Sequence, residues 1–461
     1  MPRERWYINR QKNRPRTALG AEKREEGNMK LNIRRTMLVG LAFLSICAFW
    51  EMYDFTTPLV LKNTYHLGDT WAGVVMAMDN ILALFLLPFF GAVSDRCHTR
   101  IGRRMPFIVG GTAAAAGIIL LMPTAIKNWP LSGFLLLLGL LLLAMGIYRS
   151  PAVALMPDVT PKPLRSKGNA VINLMGALGG LITLILVRVA VRTGVNAQGE
   201  TVSDYSLLYY AVAALMIICI AVLFLTIREK ALTAEMEKIH YGETEETRRA
   251  VQTDEKGRLR PEVMRSLVLI LCSVALWFMG YNAVTTAFSK YMTTVWQVTE
   301  GTAATVKMLP TAVAILSYWP VGIFASRAGR KKVILTGVLL LTACFALCGF
   351  LTAMSFLTYI VFALVGVAWA AINVNSLPMV VELATGADTG KYTGYYYTFS
   401  MAAQVLTPIL SGWLLENVGY HTLFPYAALM VFGSFLTMLF VRHGDSRPEA
   451  KSGLEALDVE D

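Results

Sequence analysis

The sequence predicts an all-α integral membrane protein with twelve transmembrane helices in two six-helix halves, and three observations support this fold class. The 461-residue chain is 55% hydrophobic and only 16% charged, whereas soluble domains average about 25% charged residues. It contains apolar runs long enough to cross a bilayer, which takes about 20 residues. Its Lys and Arg residues gather in every second connection between those runs, which is the bias that sets membrane orientation.

Six apolar runs are predicted as spans in each half of the chain. The spans of the first half are 36–61, 70–94, 106–126, 132–156, 167–191 and 206–227, and those of the second half are 264–290, 302–325, 333–354, 357–381, 392–415 and 421–441. The connections that begin near 95, 158, 228, 326, 383 and 442 hold most of the basic residues. With an even number of spans, this bias predicts a multi-pass protein of the cell membrane with both termini in the cytoplasm.

A polar segment after the sixth span divides the halves and is expected to be a cytoplasmic linker with a lateral amphipathic helix. The basic residues 1–28 lack the apolar core of a signal peptide, and we expect either an extension upstream of a true start at Met29 or a disordered tail. The predicted organisation is a tail (1–35), a first bundle (36–228), a linker (229–263), a second bundle (264–442) and a C-terminal tail (443–461).

A short motif after the second span of the first half recurs in the second half. The first copy is Gly91-x3-Asp95-Arg96 followed by Gly102-Arg103-Arg104, and the second is Gly322-x3-Ser326-Arg327 followed by Gly329-Arg330-Lys331. Asp158 after the fourth span has a looser counterpart in Glu382. Internal repeats of this kind are typical of transporters built from two related bundles that rock about a central site.

The run SDRCHTRIGRRMPFI (94–108) resembles the loop between helices 2 and 3 of the sucrose transporters, which lie near the glycoside–pentoside–hexuronide:cation symporters of the major facilitator superfamily. Residues 150–180 resemble the region around helices 4 and 5 of bacterial members. The resemblance implies the major facilitator fold and a secondary carrier that moves a glycoside with H⁺ or Na⁺. It also implies a cytoplasmic charge cluster that latches the carrier in its outward-open state, with these residues: Gly91, Asp95, Arg96, Gly102, Arg103, Arg104, Asp158, Arg327 and Lys391.

The coupling ion that we expect is H⁺, with Na⁺ as the alternative. Melibiose-type permeases carry sodium-binding aspartates near the positions of Ala83 and Leu87, and this chain lacks them. No further cofactor is expected.

Ionisable residues within spans are costly and are functional candidates by default. Glu51 and Asp54 lie three residues apart on the first span, Asp79 lies on the second and Arg149 on the fourth. Movement of an arginine relative to a carboxylate changes the proton affinity of that carboxylate, so these four residues are the candidates for proton coupling. A static ion pair that orients helices is the alternative. Lys307, near the outer end of the eighth span, is expected to extend to the membrane surface.

Hydroxyl-rich ligands need amides for hydrogen bonds and aromatic faces for their C–H surfaces. The candidate sugar-binding residues are Trp50, Asn80, Tyr148, Trp277, Tyr281, Asn282, Asn373 and Gln404. Each aromatic residue has packing or interfacial anchoring as its alternative role.

These observations predict a sugar:proton symporter for a disaccharide such as sucrose or maltose, working by alternating access as a monomer. Another small-solute or drug carrier of the same superfamily and a non-transporting sugar sensor remain alternatives. The net charge of +11 is spread over short connections, so no nucleic-acid partner is expected beside the lipid bilayer and the sugar. No nucleophile–base pair or metal-ligand spacing indicates an enzyme.

Overall fold

In the computed structural model, the described residues are 31–161, 164–195, 201–237, 260–383 and 389–444. The first half contains α1 (Ile33–Asn63), α2 (Asp69–Asp95), α3 (Met105–Asn128), α4 (Leu131–Asp158), α5 (Arg165–Ala190), the strands β1 (Arg192–Val195) and β2 (Thr201–Asp204), and α6 (Ser206–Thr226). The short helix α7 (Glu229–Glu237) follows. The second half contains α8 (Pro261–Thr294), α9 (Glu300–Ala328), α10 (Arg330–Phe350), α11 (Phe356–Val381), α12 (Thr389–Asn417) and α13 (Leu423–Leu439).

All helices except α7 contain a segment that is long and apolar enough to cross a membrane, which makes twelve candidate spans in the described residues. Helices satisfy every backbone N–H and C=O internally, which an apolar solvent requires. The predicted spans therefore agree with the structure, apart from shifts of a few residues at their ends. Residues 1–30, on which the prediction of a start-site extension rests, lie outside the described residues.

The same helix pairings occur in both halves. In the first half α1 packs on α5 and α6, while α4 packs on α2 and α3. The second half repeats these contacts, with α8 on α12 and α13 and with α11 on α9 and α10. The halves meet through α2 against α12, α5 against α9, and α1 against α8. This arrangement has the pseudo-twofold pattern that the repeated motif predicts.

The two copies of the repeated motif also share a backbone feature. Gly102 and Gly329 have φ values of +127° and +92°, in the region that favours glycine because other residues are strained there. Each glycine precedes the third helix of its half, so both turns reverse the chain at the same end of the bundle. We call this the Asp95 end, and we call the opposite end, where α1 ends and α2 begins, the Asp69 end.

Candidate functional site

A cavity of about 270 Å³ lies between the two halves, lined by α1 and α5 from the first half and by α8, α9 and α11 from the second. A second cavity of about 240 Å³ adjoins it. Both are lined by Glu51, Asp54 and Tyr281. Cavities at the interface of two bundles are where transporters of this architecture hold their substrates.

The two acidic residues of α1 face a lysine of the other half. Lys307 Nζ lies 2.8 Å from Glu51 Oε1, and the two side chains are only 14% and 21% exposed. The expectation that Lys307 extends to the membrane surface is therefore wrong, because the lysine turns inward to a carboxylate. The contact is an ion pair without hydrogen-bond alignment, since Glu51 Oε1 is buried and has no aligned donor among the described residues.

The other two predicted coupling residues complete a charged constellation around Asp54. Arg149 Cζ lies 5.5 Å from the centroid of the Trp50 ring, and the Asp79 carboxylate accepts a hydrogen bond of 2.8 Å from Asn80. Asp54 is within electrostatic range of both Arg149 and Lys307, and Asp79 is within range of Asp54 and Arg149. Three carboxylates therefore face two cations, which leaves one negative charge when all five groups are ionised.

Aromatic rings form one wall of the larger cavity. Tyr281 and Trp369 stack in parallel, with ring centroids 3.6 Å apart and an interplanar angle of 6°. Asn373 and Trp50 lie on the same cavity, while Asn282 lies on the adjoining one. The indole Nε1 of Trp50 and the amide Nδ2 of Asn282 are buried and have no hydrogen-bond partner among the described residues. Both donors therefore lie beside the cavities with their hydrogen-bonding capacity unused in this conformation.

Among the described residues, neither cavity is lined by four of the predicted sugar-binding residues, which are Asn80, Tyr148, Trp277 and Gln404. Tyr148 is fully buried, and its hydroxyl contacts Ser45 and donates to the Ala42 carbonyl at 2.7 Å. Trp277 is likewise fully buried in the core. Gln404 is half-buried on α12. Their roles as ligand contacts remain predictions, and in this conformation they lie away from the cavity walls.

The charge cluster predicted at the Asp95 end forms within the first half. Arg103 forms a bidentate ion pair with Asp158, with Nη2 2.7 Å from Oδ1 and Nε 3.2 Å from Oδ2. Arg104 is buried, donates from Nε to Asp158 Oδ2 at 2.9 Å and pairs with Asp95. Its Nη1 donates to the Ser94 hydroxyl at 2.5 Å and lies 3.4 Å from the Gly91 carbonyl. Charge-assisted bonds of this kind fix geometry as well as adding energy, so the turn from α2 to α3 is tied to the end of α4.

The second half has an equivalent pair. Arg330, at the start of α10, forms an ion pair with Glu382, which follows α11. Two predicted gate residues, Arg96 and Arg327, are exposed. Lys391 lies in the first turn of α12, and its side chain falls outside the described residues.

Glu229, which begins α7, binds the backbone of the turn between α2 and α3. Its carboxylate is buried and accepts three backbone hydrogen bonds, from Arg103 N and Arg104 N at 2.9 Å each and from Met105 N at 2.8 Å. These N–H groups lie at the start of α3, where the helix has no internal acceptors and favours negative charge. The linker is thereby attached to the first half at its first residue.

We expect Glu229→Gln to destabilise the protein by about 1–3 kcal/mol. The amide removes the negative charge, and it replaces one acceptor oxygen by an NH2 donor that would face a backbone N–H donor. Thermal unfolding of the purified protein measures the effect as a lower Tm. Glu235→Gln is the control on the same helix, because the Glu235 side chain is 63% exposed and its contact with Arg35 is long, at 4.0 Å. Equal Tm values for the two variants would show that the Glu229 contacts carry no net stability.

A network of polar side chains closes the Asp69 end between the halves. Lys290 Nζ of α8 lies 2.7 Å from Asp69 Oδ1, and both side chains are buried. The Tyr420 hydroxyl donates to Asp69 Oδ2 at 2.7 Å and accepts from Lys62 Nζ at 2.6 Å. Sequence reasoning missed all four residues of this Asp69-end network, because charged residues at the ends of spans are ordinarily interfacial anchors.

The first half also carries an exposed ion pair at this end. Lys127 Nζ lies 3.1 Å from Asp204 Oδ1, and both side chains are about half exposed. The hydroxyl and backbone N–H of Ser206 hold the pKa of the Asp204 carboxyl below its usual value. Burial raises the pKa of the neighbouring Tyr205 well above its usual value, and its hydroxyl donates to Glu300 of α9 at 2.8 Å.

Comparison with known structures shows the same fold. The nucleoside transporter NupG superposes with a TM-score of 0.61 at 15% identity, covering 90% of this chain and all of that structure. FucP, a major facilitator superfamily transporter in the outward conformation, superposes with a TM-score of 0.53 at 14% identity, covering 89% of this chain and 99% of FucP.

Curated relatives include both drug and sugar carriers. The multidrug resistance protein MdtG of Escherichia coli is 21% identical over 88% of this chain and 94% of its own length. The sucrose transport protein SUC4 of Arabidopsis thaliana is 29% identical over 24% of this chain and 25% of its own. The human proton-associated sugar transporter A is 31% identical over 27% of this chain and 18% of its own.

The resemblance seen in the motifs is thus confirmed at the level of the superfamily. Residues 39–442 match the family described as MFS/sugar transport protein, which covers most of the chain and all twelve spans in whole or in large part. With the paired bundles and the cavity between them, this match shows that the chain belongs to the MFS/sugar transport protein family of membrane transporters.

Proposed function

We propose that the protein is a symporter that moves a neutral sugar of disaccharide size together with a proton by alternating access. The observation that carries the proposal is the composition of the central cavity, where a stacked Tyr281–Trp369 pair lies beside a constellation with one surplus carboxylate. Aromatic faces and unpaired donors suit a hydroxyl-rich neutral solute. A surplus negative charge suits one monovalent cation, which travels with that solute.

The size of the cavity supports a small-molecule substrate. Ligand sites in proteins span roughly 300–1,000 Å³, and the two adjoining cavities measure about 270 and 240 Å³. The donors Trp50 Nε1 and Asn282 Nδ2 come from opposite halves, so a single ligand that binds both would contact both halves at once. Such a ligand stabilises the conformations in which the halves close around it.

The basic Asp95 end is the cytoplasmic side under this proposal, because Lys and Arg accumulate there. The Asp69-end network then closes the outer side, and the carrier faces the cytoplasm. In the outward-facing state the Asp95-end cluster would meet the second half near Lys391 and hold the inner side shut. The protein would act as a monomer in the cell membrane.

The test is transport into proteoliposomes with an imposed inward proton gradient, using sucrose, maltose and related glycosides. We expect at least one glycoside to accumulate and to acidify the lumen as it enters. If no glycoside accumulates or carries protons, the proposal is wrong.

A carrier for drugs or other small solutes is the second candidate function, and it is favoured by the long match to MdtG. Transport of cationic dyes by the same vesicles would reveal it.

We expect Asp79→Asn to retain sugar exchange across the membrane and to lose accumulation driven by the proton gradient. The amide keeps the shape of the carboxylate, but it removes the surplus negative charge that draws one proton into the constellation around Asp54, and it cannot balance Arg149. Measuring gradient-driven accumulation and solute exchange in the same vesicles separates the loss of coupling from a loss of sugar transport. Asp204→Asn is the control, since the Asp204 side chain is 49% exposed, and unchanged uphill transport by Asp79→Asn would remove Asp79 from the coupling machinery.

A further inference from the structure

We propose that Lys307 is the internal cation that replaces the transported proton on Glu51 in the empty carrier. The inference rests on the proposed symport, and it adds to the coupling machinery a residue from the half that has none of the predicted coupling residues. The ammonium of Lys307 on α9 pairs with the Glu51 carboxylate on α1 at 2.8 Å. A proton taken up from water by Glu51 neutralises the carboxylate and releases the ammonium, which keeps its charge.

The position of the Lys307–Glu51 ion pair allows a proton and the lysine ammonium to alternate as the partner of Glu51. Both side chains line the same cavity, so a proton and a solute can reach them from one space. Glu51 Oε1 is buried without an aligned hydrogen-bond donor among the described residues, so protonation breaks no aligned hydrogen bond at that oxygen. Because Lys307 and Glu51 belong to different halves, releasing the pair also removes a link between α9 and α1.

The charged surroundings show why the empty carrier needs this lysine. The other ionisable side chains around Glu51, directly or through Asp54, are Asp54 and Cys47 on α1, Asp79 on α2, Arg149 on α4, Tyr281 on α8, and Lys307 and Tyr318 on α9. The described residues of α5 that line the cavity are not ionisable. With Lys307 removed, three carboxylates would face Arg149 alone, and moving uncompensated charge through the membrane interior is costly.

The consequence is a separation between two modes of transport. Exchange of internal for external solute uses only the loaded carrier, in which Glu51 is protonated and needs no counter-ion. Net uptake also requires the empty carrier to return with Glu51 ionised, and this step needs Lys307. A lysine with a merely structural role would affect both modes equally.

The experiment compares exchange and net uptake for Lys307→Met in proteoliposomes, with a transported glycoside. We expect net uptake to fall at least about ten-fold more than exchange, which corresponds to about 1.4 kcal/mol or more on the return step. Lys307→Arg, which keeps the charge, should restore the ratio between the modes. Lys332→Met is the matched control, because Lys332 is exposed at the Asp95 end. Equal losses in both modes, or unchanged net uptake, would overturn the inference while leaving the proposed symport intact.

A second measurement needs no substrate and so stands if no sugar is transported. Hydrogen exchange of the protein in nanodiscs, followed from high to low pH, reports how firmly α1 and α9 are held together. Exchange is expressed as protection relative to the intrinsic amide rate at each pH. We expect lower pH to reduce this protection around residues 49–53 and 305–309 in the unaltered protein, and we expect no such change in Lys307→Met or Glu51→Gln. Protection that is independent of pH in the unaltered protein, or equally dependent in the variants, contradicts the role of Lys307 whatever the carrier moves.

Discussion

Replacing Lys290 with methionine should open the Asp69 end of the bundle. The substitution leaves the Asp69 carboxylate buried between the halves with only the Tyr420 hydroxyl and the more distant Lys62 to compensate its charge. Removal of one partner of a buried ion pair costs about 3–5 kcal/mol. In the opened conformation Asp69 faces water and avoids this cost. The population should therefore shift away from the closed conformation by roughly two orders of magnitude or more.

Hydrogen exchange of the backbone at residues 62–70 and 417–423 measures this opening, and we expect it to rise strongly in Lys290→Met. The double variant Asp69→Asn/Lys290→Met should recover part of the protection, because it removes the uncompensated charge. Lys127→Met is the matched control at the same end, where the pair with Asp204 is exposed and is worth only about 0–1 kcal/mol. If Lys290→Met exchanges no faster than Lys127→Met, the buried pair does not hold this end shut.

The features that could be predicted from sequence are those written in local patterns. Spans follow from apolar length, and the charge cluster of Arg103 and Arg104 with Asp158 is implied by the resemblance of the motif to a known family. The pair of Arg330 and Glu382 in the second half occupies the equivalent positions of the repeat. Each of these features depends on residues within one half of the chain.

Contacts between the halves could not be predicted in this way. Lys290 and Asp69 are separated by 221 positions, and each by itself is typical of an interfacial anchor. Lys307 has the position of a lysine that extends to the membrane surface, and only the approach of α1 brings a carboxylate within its reach. Tyr148, the polar group beside Arg149, donates to the Ala42 carbonyl and lies away from the cavity in this conformation, and its role as a ligand contact stays a prediction.

These differences have a common physical origin. The helix faces that meet across the two halves must also separate when the carrier changes conformation, so they cannot be continuous apolar seams. They rely on a few charged pairs and on small residues that allow close approach. Such contacts leave little trace in hydrophobic periodicity, although they decide which end of the bundle is closed.

Close approach of α2 and α12 provides the second large effect. At Gly73 a Cβ atom would overlap the backbone carbonyl of Pro408, and at Gly412 it would overlap the carbonyl of Asp69. Backbone atoms cannot rotate away as a flexible side chain can, so any larger residue at Gly73 must push the helices apart. We expect Gly73→Val to disfavour closure of the Asp69 end by about 1–3 kcal/mol or more, and to slow both exchange and net transport by a factor on the order of ten or greater.

Gly117→Val separates this steric effect from the general effect of valine in a helix. Gly117 also lies in a spanning helix, α3, but a Cβ atom there meets nothing within 4 Å, so its replacement should leave closure unchanged. Hydrogen exchange across residues 69–77 and 408–416 should increase in Gly73→Val and stay at the level of the unaltered protein in Gly117→Val. Because Gly73 is uncharged, the same opening in Gly73→Val and Lys290→Met would show that packing and the ion pair stabilise one closed state. Normal protection in Gly73→Val would mean that α2 and α12 do not need to touch for this end to close.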